Sequence, residues 1–140
     1  MSEFEGMKAI TFGVFDLLHF GHFELFRRIK GLVGETGMVI VACQADDFVT
    51  KYKPVRLAYN WDTRASMIGA LRYVDEVVPY TDVDVTICML EFDMAVFGPD
   101  QSHAGFQRAK QWCLDHGRRV HILTRTEGIS SSQIRTGGLG

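Results

Sequence analysis

Short apolar runs alternate with helix-patterned segments along the chain, and few folds accept that alternation. Lys8–Gly13 is an apolar run that stops at glycine and reads as a buried strand. Residues 21–33 carry Phe23, Phe26, Ile29 and Leu32 at helical spacing, with Arg27, Arg28 and Lys30 between them. Residues 38–43 form an unbroken β-branched-rich run, the pattern of a central parallel strand. Residues 45–59 read as a polar loop holding Lys51, Lys53, Pro54 and Arg56. Asn60 is placed to cap a helix over residues 61–71. A third strand is expected over residues 76–79, a short helix over 82–90 and a fourth strand over 94–98. A helix over residues 102–116 is closed by Gly117, a fifth strand follows over 120–123, and a last short helix starts at Ser130 and runs to Arg135.

This order predicts right-handed β-α-β crossovers and one parallel five-stranded sheet covered on both faces, a doubly wound α/β fold. Ligands in such sheets bind outside the carboxyl ends of the strands, near the point where strand order reverses. Four connections are therefore expected to converge on one site: residues 13–22, 45–56, 98–103 and 124–132.

A length of 140 residues suits a single domain, with 46% hydrophobic residues to fill its core. The six residues before Met7 include two glutamates and read as a tail. The formal net charge is −2, without the basic excess of a nucleic-acid surface, so no nucleic-acid partner is expected. No apolar run is long enough to span a bilayer, so no membrane partner is expected either. Cys43, Cys88 and Cys113 form no C-x-x-C pair, and two of them lie in apolar segments as buried thiols. A reduced, cytoplasmic protein is expected.

The segment Gly13-Val14-Phe15-Asp16-Leu17-Leu18-His19-Phe20-Gly21-His22 joins the first strand to the first helix. Gly13 allows backbone to approach a ligand closely, and Gly21 leaves room where a side chain would block a phosphate. His19 and His22, three residues apart, share one face if both lie on the first helical turn. The helix N-terminus is expected to offer free N–H groups and a partial positive charge, and two imidazoles add donors. That combination suits a triphosphate. Two other readings stay open at this point: a pair of surface histidines, and a zinc site lacking further ligands at a usual spacing.

A second segment, Arg125-Thr126-Glu127-Gly128-Ile129-Ser130-Ser131-Ser132-Gln133-Ile134-Arg135, follows the last strand. Ser130 with Gln133 is a capping-box pattern, so another helix N-terminus falls here. The hydroxyls of Thr126, Ser130 and Ser131 offer a neutral anion cradle, and Arg125 can bind phosphate oxygens bidentately. Alone, the segment also fits an ordinary serine-rich cap.

Taken together, Gly-x-Phe-Asp-x-x-His-x-Gly-His and Arg-Thr-Glu-Gly-Ile-Ser-Ser resemble the cytidylyltransferase family, above all the glycerol-3-phosphate cytidylyltransferases. The middle segment Arg72-Tyr73-Val74-Asp75-Glu76-Val77 is similar to that family as well. The first motif marks a wider superfamily that includes adenylyltransferases. The resemblance implies a Rossmann-like fold, a homodimer, Mg²⁺ dependence and release of pyrophosphate. It implies that His19 and His22 hold the CTP phosphates, completed by Arg125, Thr126, Gly128, Ile129, Ser130 and Ser131. Gly13, Val14, Phe15, Asp16 and Gly21 would line the nucleotide from the first loop. Lys51 or Lys53 corresponds to a mobile lysine, Arg64 to a phosphate ligand, and Asp100, after Gly98, to an acidic residue near the nucleotide. Asp16 would act on the metal through water, without a direct protein ligand to it. Arg72, Asp75 and His103 are the candidate acceptor contacts.

The chain departs from the family's pattern in three places. Val14 replaces a small hydroxyl residue, Gly98-Pro99-Asp100-Gln101-Ser102-His103 differs from a Gly-Asp-Asp-Trp type of sequence, and the stretch from Pro79 to Leu90 lacks a tryptophan. The expected activity is transfer of CMP from CTP to a phosphate-monoester acceptor, glycerol 3-phosphate first. Another acceptor, ATP in place of CTP, or nucleotide binding without catalysis remain as alternatives.

Overall fold

A computed structural model describes residues 2–52 and 56–124. The expected last helix from Ser130 to Arg135 lies outside the described residues. Five strands form one all-parallel sheet: β1 (Lys8–Gly13), β2 (Met38–Gln44), β3 (Glu76–Tyr80), β4 (Met94–Phe97) and β5 (Arg119–Ile122). Their order is β3-β2-β1-β4-β5, so the chain winds outward twice from β1, and strand order reverses between β1 and β4.

Side-chain alternation along the strands divides the core in two. Ala9, Val39, Val41, Met94 and Val96 face α1 (Phe20–Val33) and α3 (Trp61–Gly69), which contribute Phe26, Ile29, Val33 and Ile68. Ile10, Phe12, Ile40, Ala42, Ala95 and Phe97 face the other way. They pack under α4 (Val83–Thr86), the 3₁₀ turn Ile87–Met89 and α5 (Ala104–Asp115), through Val83, Ile87, Phe106, Ala109 and Cys113. The helices thus cover both faces, as the alternation of elements requires. Cys43 and Cys113 are buried thiols, and Cys88 is exposed.

Helix boundaries follow local chemistry. Asn60 caps α3 by accepting the Thr63 N–H at 2.9 Å. Gly117 takes φ 70° just past α5, a left-handed turn suited to glycine. Two stretches differ from expectation. Residues 46–52 are not loop but a helix, α2 (Asp46–Tyr52), with Asp46 and Asp47 in its first turn and Lys51 in its last. Those charges complement the helix dipole, and hydrophobic spacing over only seven residues is too short to read. Residues 2–6 are not a loose tail either: Phe4 packs on the core, Gly6 N–H donates to Val33 O at 2.8 Å, and Glu3 pairs with Arg119 at 3.5 Å. Among the described residues, no helix is long and apolar enough to cross a membrane.

Candidate active site

The carboxyl ends of the strands carry the loops singled out above. At the end of β1, Phe15 takes φ 55°, a left-handed conformation that is rare for an aromatic residue. The turn folds the Phe15 ring back over Gly13, where an added Cβ would sit 2.6 Å from the ring. Gly13 therefore makes room for the Phe15 ring. The buried Phe15 ring packs on Phe26 and meets His22 edge-on at 5.3 Å. Its ring supports the histidine from beneath, which leaves the backbone of this loop for the expected nucleotide contact.

His19 is the N-cap of α1 and His22 its third residue, and the two close a capping box built from imidazoles. His19 Nδ1 accepts the Gly21 N–H at 3.0 Å, and His22 Nδ1 accepts the His19 N–H at 3.2 Å. The rings lie 4.0 Å apart at 30°. Because each Nδ1 accepts, each neutral ring carries its proton on Nε2. Burial, and then the neighbouring His19, lower the His22 pKa to about 4, so His22 is neutral at pH 7. The pair presents its Nε2–H donors on one face, with His22 neutral. The amides at the start of α1 are not free, contrary to expectation: His22 N–H and Phe23 N–H both donate to His19 O, and Gly21 N–H goes to the His19 ring. The dipole's positive end remains.

Asp16 uses both carboxylate oxygens to accept the Ala58 and Tyr59 amides at 2.8 and 2.9 Å, fastening the segment before α3 to the β1–α1 loop. Arg64 is the largest correction. Expected as a phosphate ligand, it is 1% exposed and wholly engaged inside the fold. Its Nη1 donates to Val14 O at 2.8 Å and to Cys43 Sγ at 3.2 Å, Nε donates to Tyr59 O at 3.1 Å, and Nη2 pairs with Asp46. A guanidinium taken out of water requires such satisfaction. It ties β1, β2, α2 and α3 together behind the site. Burial raises the neighbouring Cys43 thiol to about 11 and keeps it protonated.

Lys51 is exposed on α2 with its ammonium 5.4 Å from the Phe48 ring. Lys53 lies outside the described residues, as do Arg125, Thr126, Gly128, Ile129, Ser130 and Ser131. The entry to that last segment is nevertheless fixed, because Arg28 on α1 donates to Thr124 O at 2.7 Å. Gly98 follows β4 with nothing within 4 Å of a built Cβ, so open space lies before it, and Asp100 comes two residues later. His103 caps α5 through Nδ1, which accepts the Gly105 N–H at 3.1 Å.

Arg72 and Asp75 are not part of this assembly. Both lie ahead of β3, at the amino-terminal edge of the sheet, and Asp75 Oδ2 accepts the Val39 N–H at 2.8 Å and pairs with Lys30 at 3.1 Å. Arg72 stacks on Tyr73 at 5.6 Å. Neither reaches the carboxyl ends of the strands, where an acceptor contact was expected, and Asp75 instead joins α1, β2 and β3. Sequence reasoning also missed Gln101 and Arg28, whose partners are backbone atoms distant in sequence and leave no local signal.

The comparisons agree with this geometry. Residues 10–137 match the family model described as Cytidylyltransferase-like. The chain is 34% identical to a glycerol-3-phosphate cytidylyltransferase of Staphylococcus aureus, covering 91% of this chain and 92% of that one. It is 31% identical to an FAD synthase of Korarchaeum cryptofilum, covering 92% and 89%. In fold it is similar to a lipopolysaccharide core biosynthesis protein from Thermoplasma volcanium, with TM-score 0.69 and 23% identity over 86% of this chain and 97% of that one. With the doubly wound sheet, the imidazole pair at its switch point and a family match spanning most of its length, the chain belongs to the cytidylyltransferase-like family of nucleotidyltransferases.

Proposed function

We propose that the protein transfers CMP from CTP to a phosphate monoester, with glycerol 3-phosphate the leading acceptor, to give CDP-glycerol and pyrophosphate. The observation that carries the reading is the capped His19/His22 pair, two Nε2–H donors at a helix N-terminus beside the strand-order reversal. The likeness to glycerol-3-phosphate cytidylyltransferases of Staphylococcus aureus and Bacillus subtilis, at 34% and 35% identity, supports the choice of nucleotide and acceptor.

The acceptor phosphate is already a nucleophile at neutral pH, since its second pKa is about 6. Its oxygen attacks the α-phosphorus of CTP in line, the bond from that phosphorus to the bridging oxygen breaks, and pyrophosphate leaves. No strong base is required, and a neutral His22 suits that chemistry. The imidazoles would donate to the phosphate chain as charge builds on the leaving group. Lys51 or Lys53 would close over the triphosphate, and Arg125, Thr126, Gly128, Ile129, Ser130 and Ser131 would complete its cradle.

Among the described residues, no group of three or more His, Cys, Asp or Glu side chains is placed to hold a metal ion. With both Nδ1 atoms accepting amides and the other ring nitrogens protonated, the imidazole pair has no lone pair to give a resident ion. Mg²⁺ would enter with the triphosphate as part of the substrate. A homodimer in the cytoplasm belongs to the same proposal.

A second reading, adenylyl transfer, draws on the FAD synthase relatives. A matrix of CTP and ATP against glycerol 3-phosphate, ethanolamine phosphate and FMN, read by pyrophosphate release, tests both. Turnover confined to CTP with glycerol 3-phosphate is expected, and turnover confined to ATP with FMN would replace it by the second reading.

A further inference from the structure

Strands β1 and β4 pair at Ala9↔Met94, Ile10↔Ala95 and Thr11↔Val96, and there the pairing stops. In a parallel ladder one strand bonds its neighbour through alternate residues. Carried one step further, this ladder would bring the Gly98 N–H to the Phe12 carbonyl. The Gln101 side chain stands between them instead. Its Oε1 accepts the Gly98 N–H at 3.0 Å, and its Nε2 donates to Phe12 O at 2.7 Å. A primary amide offers the same donor and acceptor as a peptide unit, so it satisfies both orphaned groups while keeping the strands apart.

The insert is itself held. Gln101 N–H donates to Gly98 O at 3.2 Å, and Gln101 O accepts from Lys110 Nζ at 2.9 Å. Beneath it the Phe12 and Phe97 rings lie near-parallel, with centroids 6.1 Å apart. The insertion falls where strand order reverses, which is where a sheet of this kind admits its ligand. One wall of that crevice leads from Gly13 to His19 and His22. The other is Gly98, with open space before its α-carbon.

We propose that Gln101 is a positioning residue whose amide, inserted between Phe12 and Gly98, sets the width of the nucleotide crevice between the His19/His22 pair and the end of β4. This rests on the nucleotidyl-transfer reading for the identity of the ligand. Both ends of its amide are held on backbone, so the part assigned to Gln101 is spacing. It fixes how far the two walls stand apart, and replacing it changes the fit of the triphosphate before it changes the fit of the acceptor.

The test uses the whole protein and two variants. Gln101→Met keeps the length and loses both bonds. Gln101→Glu keeps the acceptor for Gly98 N–H and turns the donor into an acceptor facing the Phe12 carbonyl. Calorimetric Kd values for CTP and ATP are measured without acceptor, beside steady-state KM and kcat. The triphosphate Kd and KM should rise about tenfold, the scale of one lost hydrogen bond, while the acceptor KM stays within about twofold. Triphosphate Kd and KM within twofold of the native protein, in either folded variant and whatever its melting temperature, would overturn the proposal. Hydrogen exchange on the native protein needs no variant: the Gly98 amide should be protected, and fast exchange there overturns the strut. Native protein that binds a triphosphate without turning over any acceptor defeats the functional reading and leaves Gln101 standing. Binding of neither triphosphate defeats both.

Discussion

His22 Nδ1 accepts the backbone N–H of His19 at 3.2 Å, so the two histidines of the motif hold each other as well as the helix they begin. Substitution by alanine therefore removes a cap together with any catalytic donor, and loss of a cap costs about 1 kcal/mol. Variants that keep the cap separate the two effects. Asparagine can replace His19 as N-cap, and glutamine can replace His22 at the third position of the box. His19→Asn and His22→Gln should keep a melting temperature near that of the native protein while kcat falls about 10²- to 10³-fold. Thermal melts beside pyrophosphate-release kinetics check this, and normal turnover in the double variant would remove the pair from the chemistry.

The buried state of His22 links stability to pH. Its folded pKa, about 4, lies below the ordinary histidine value of 6.5 because burial and then His19 disfavour the charged ring. The unfolded chain takes up a proton first as pH falls. The stability contributed by neutral His22 is thus complete above pH 6.5 and is lost as pH falls toward 4. The loss is on the order of 3 kcal/mol by pH 4. Urea denaturation of the native protein and His22→Gln at pH 7.5 and 4.5 should give a smaller acid loss in the variant. Equal losses would place the acid sensitivity elsewhere.

Two glycines of the site should respond in opposite ways to alanine. At Gly13 the new methyl meets the Phe15 ring at 2.6 Å, so Gly13→Ala should lose about 1–3 kcal/mol of stability. At Gly98 nothing lies within 4 Å, so Gly98→Ala should keep its stability and weaken triphosphate binding instead. Denaturant midpoints beside CTP titrations decide the matter. Native CTP affinity in Gly98→Ala would mean that the nucleotide does not approach this strand end.

Strand positions were legible because each carries a dense apolar run, and β1 is found at Lys8–Gly13 as expected. The histidine motif was legible because its residues are neighbours in sequence. Arg64 was misplaced because an arginine on a short helix gives no sign of facing inward. Its partners Val14, Cys43 and Asp46 come from three other segments. Asp75 was misplaced for a related reason: a family motif in sequence does not say at which end of the sheet it falls. The role of Gln101 needs the register of β1 against β4, which no local pattern contains.

The burial of Arg64 makes a prediction of its own. Arg64→Met leaves the Tyr59 carbonyl and the Asp46 carboxylate without the guanidinium, and the Val14 carbonyl with only the Cys43 thiol. Stability should fall by roughly 2 kcal/mol or more, read as a lower urea midpoint. An unchanged midpoint with a raised KM for CTP would return Arg64 to the role of phosphate ligand.

The central claim is CMP transfer to a phosphate oxygen, and phosphorus NMR of a reaction containing the protein, CTP, Mg²⁺ and glycerol 3-phosphate tests it most directly. The account predicts that the three CTP resonances give way to pyrophosphate and to a coupled pair from a new diphosphate diester, only when the acceptor is present. CTP that stays intact, or that breaks down to CDP and inorganic phosphate whether or not acceptor is added, would contradict it.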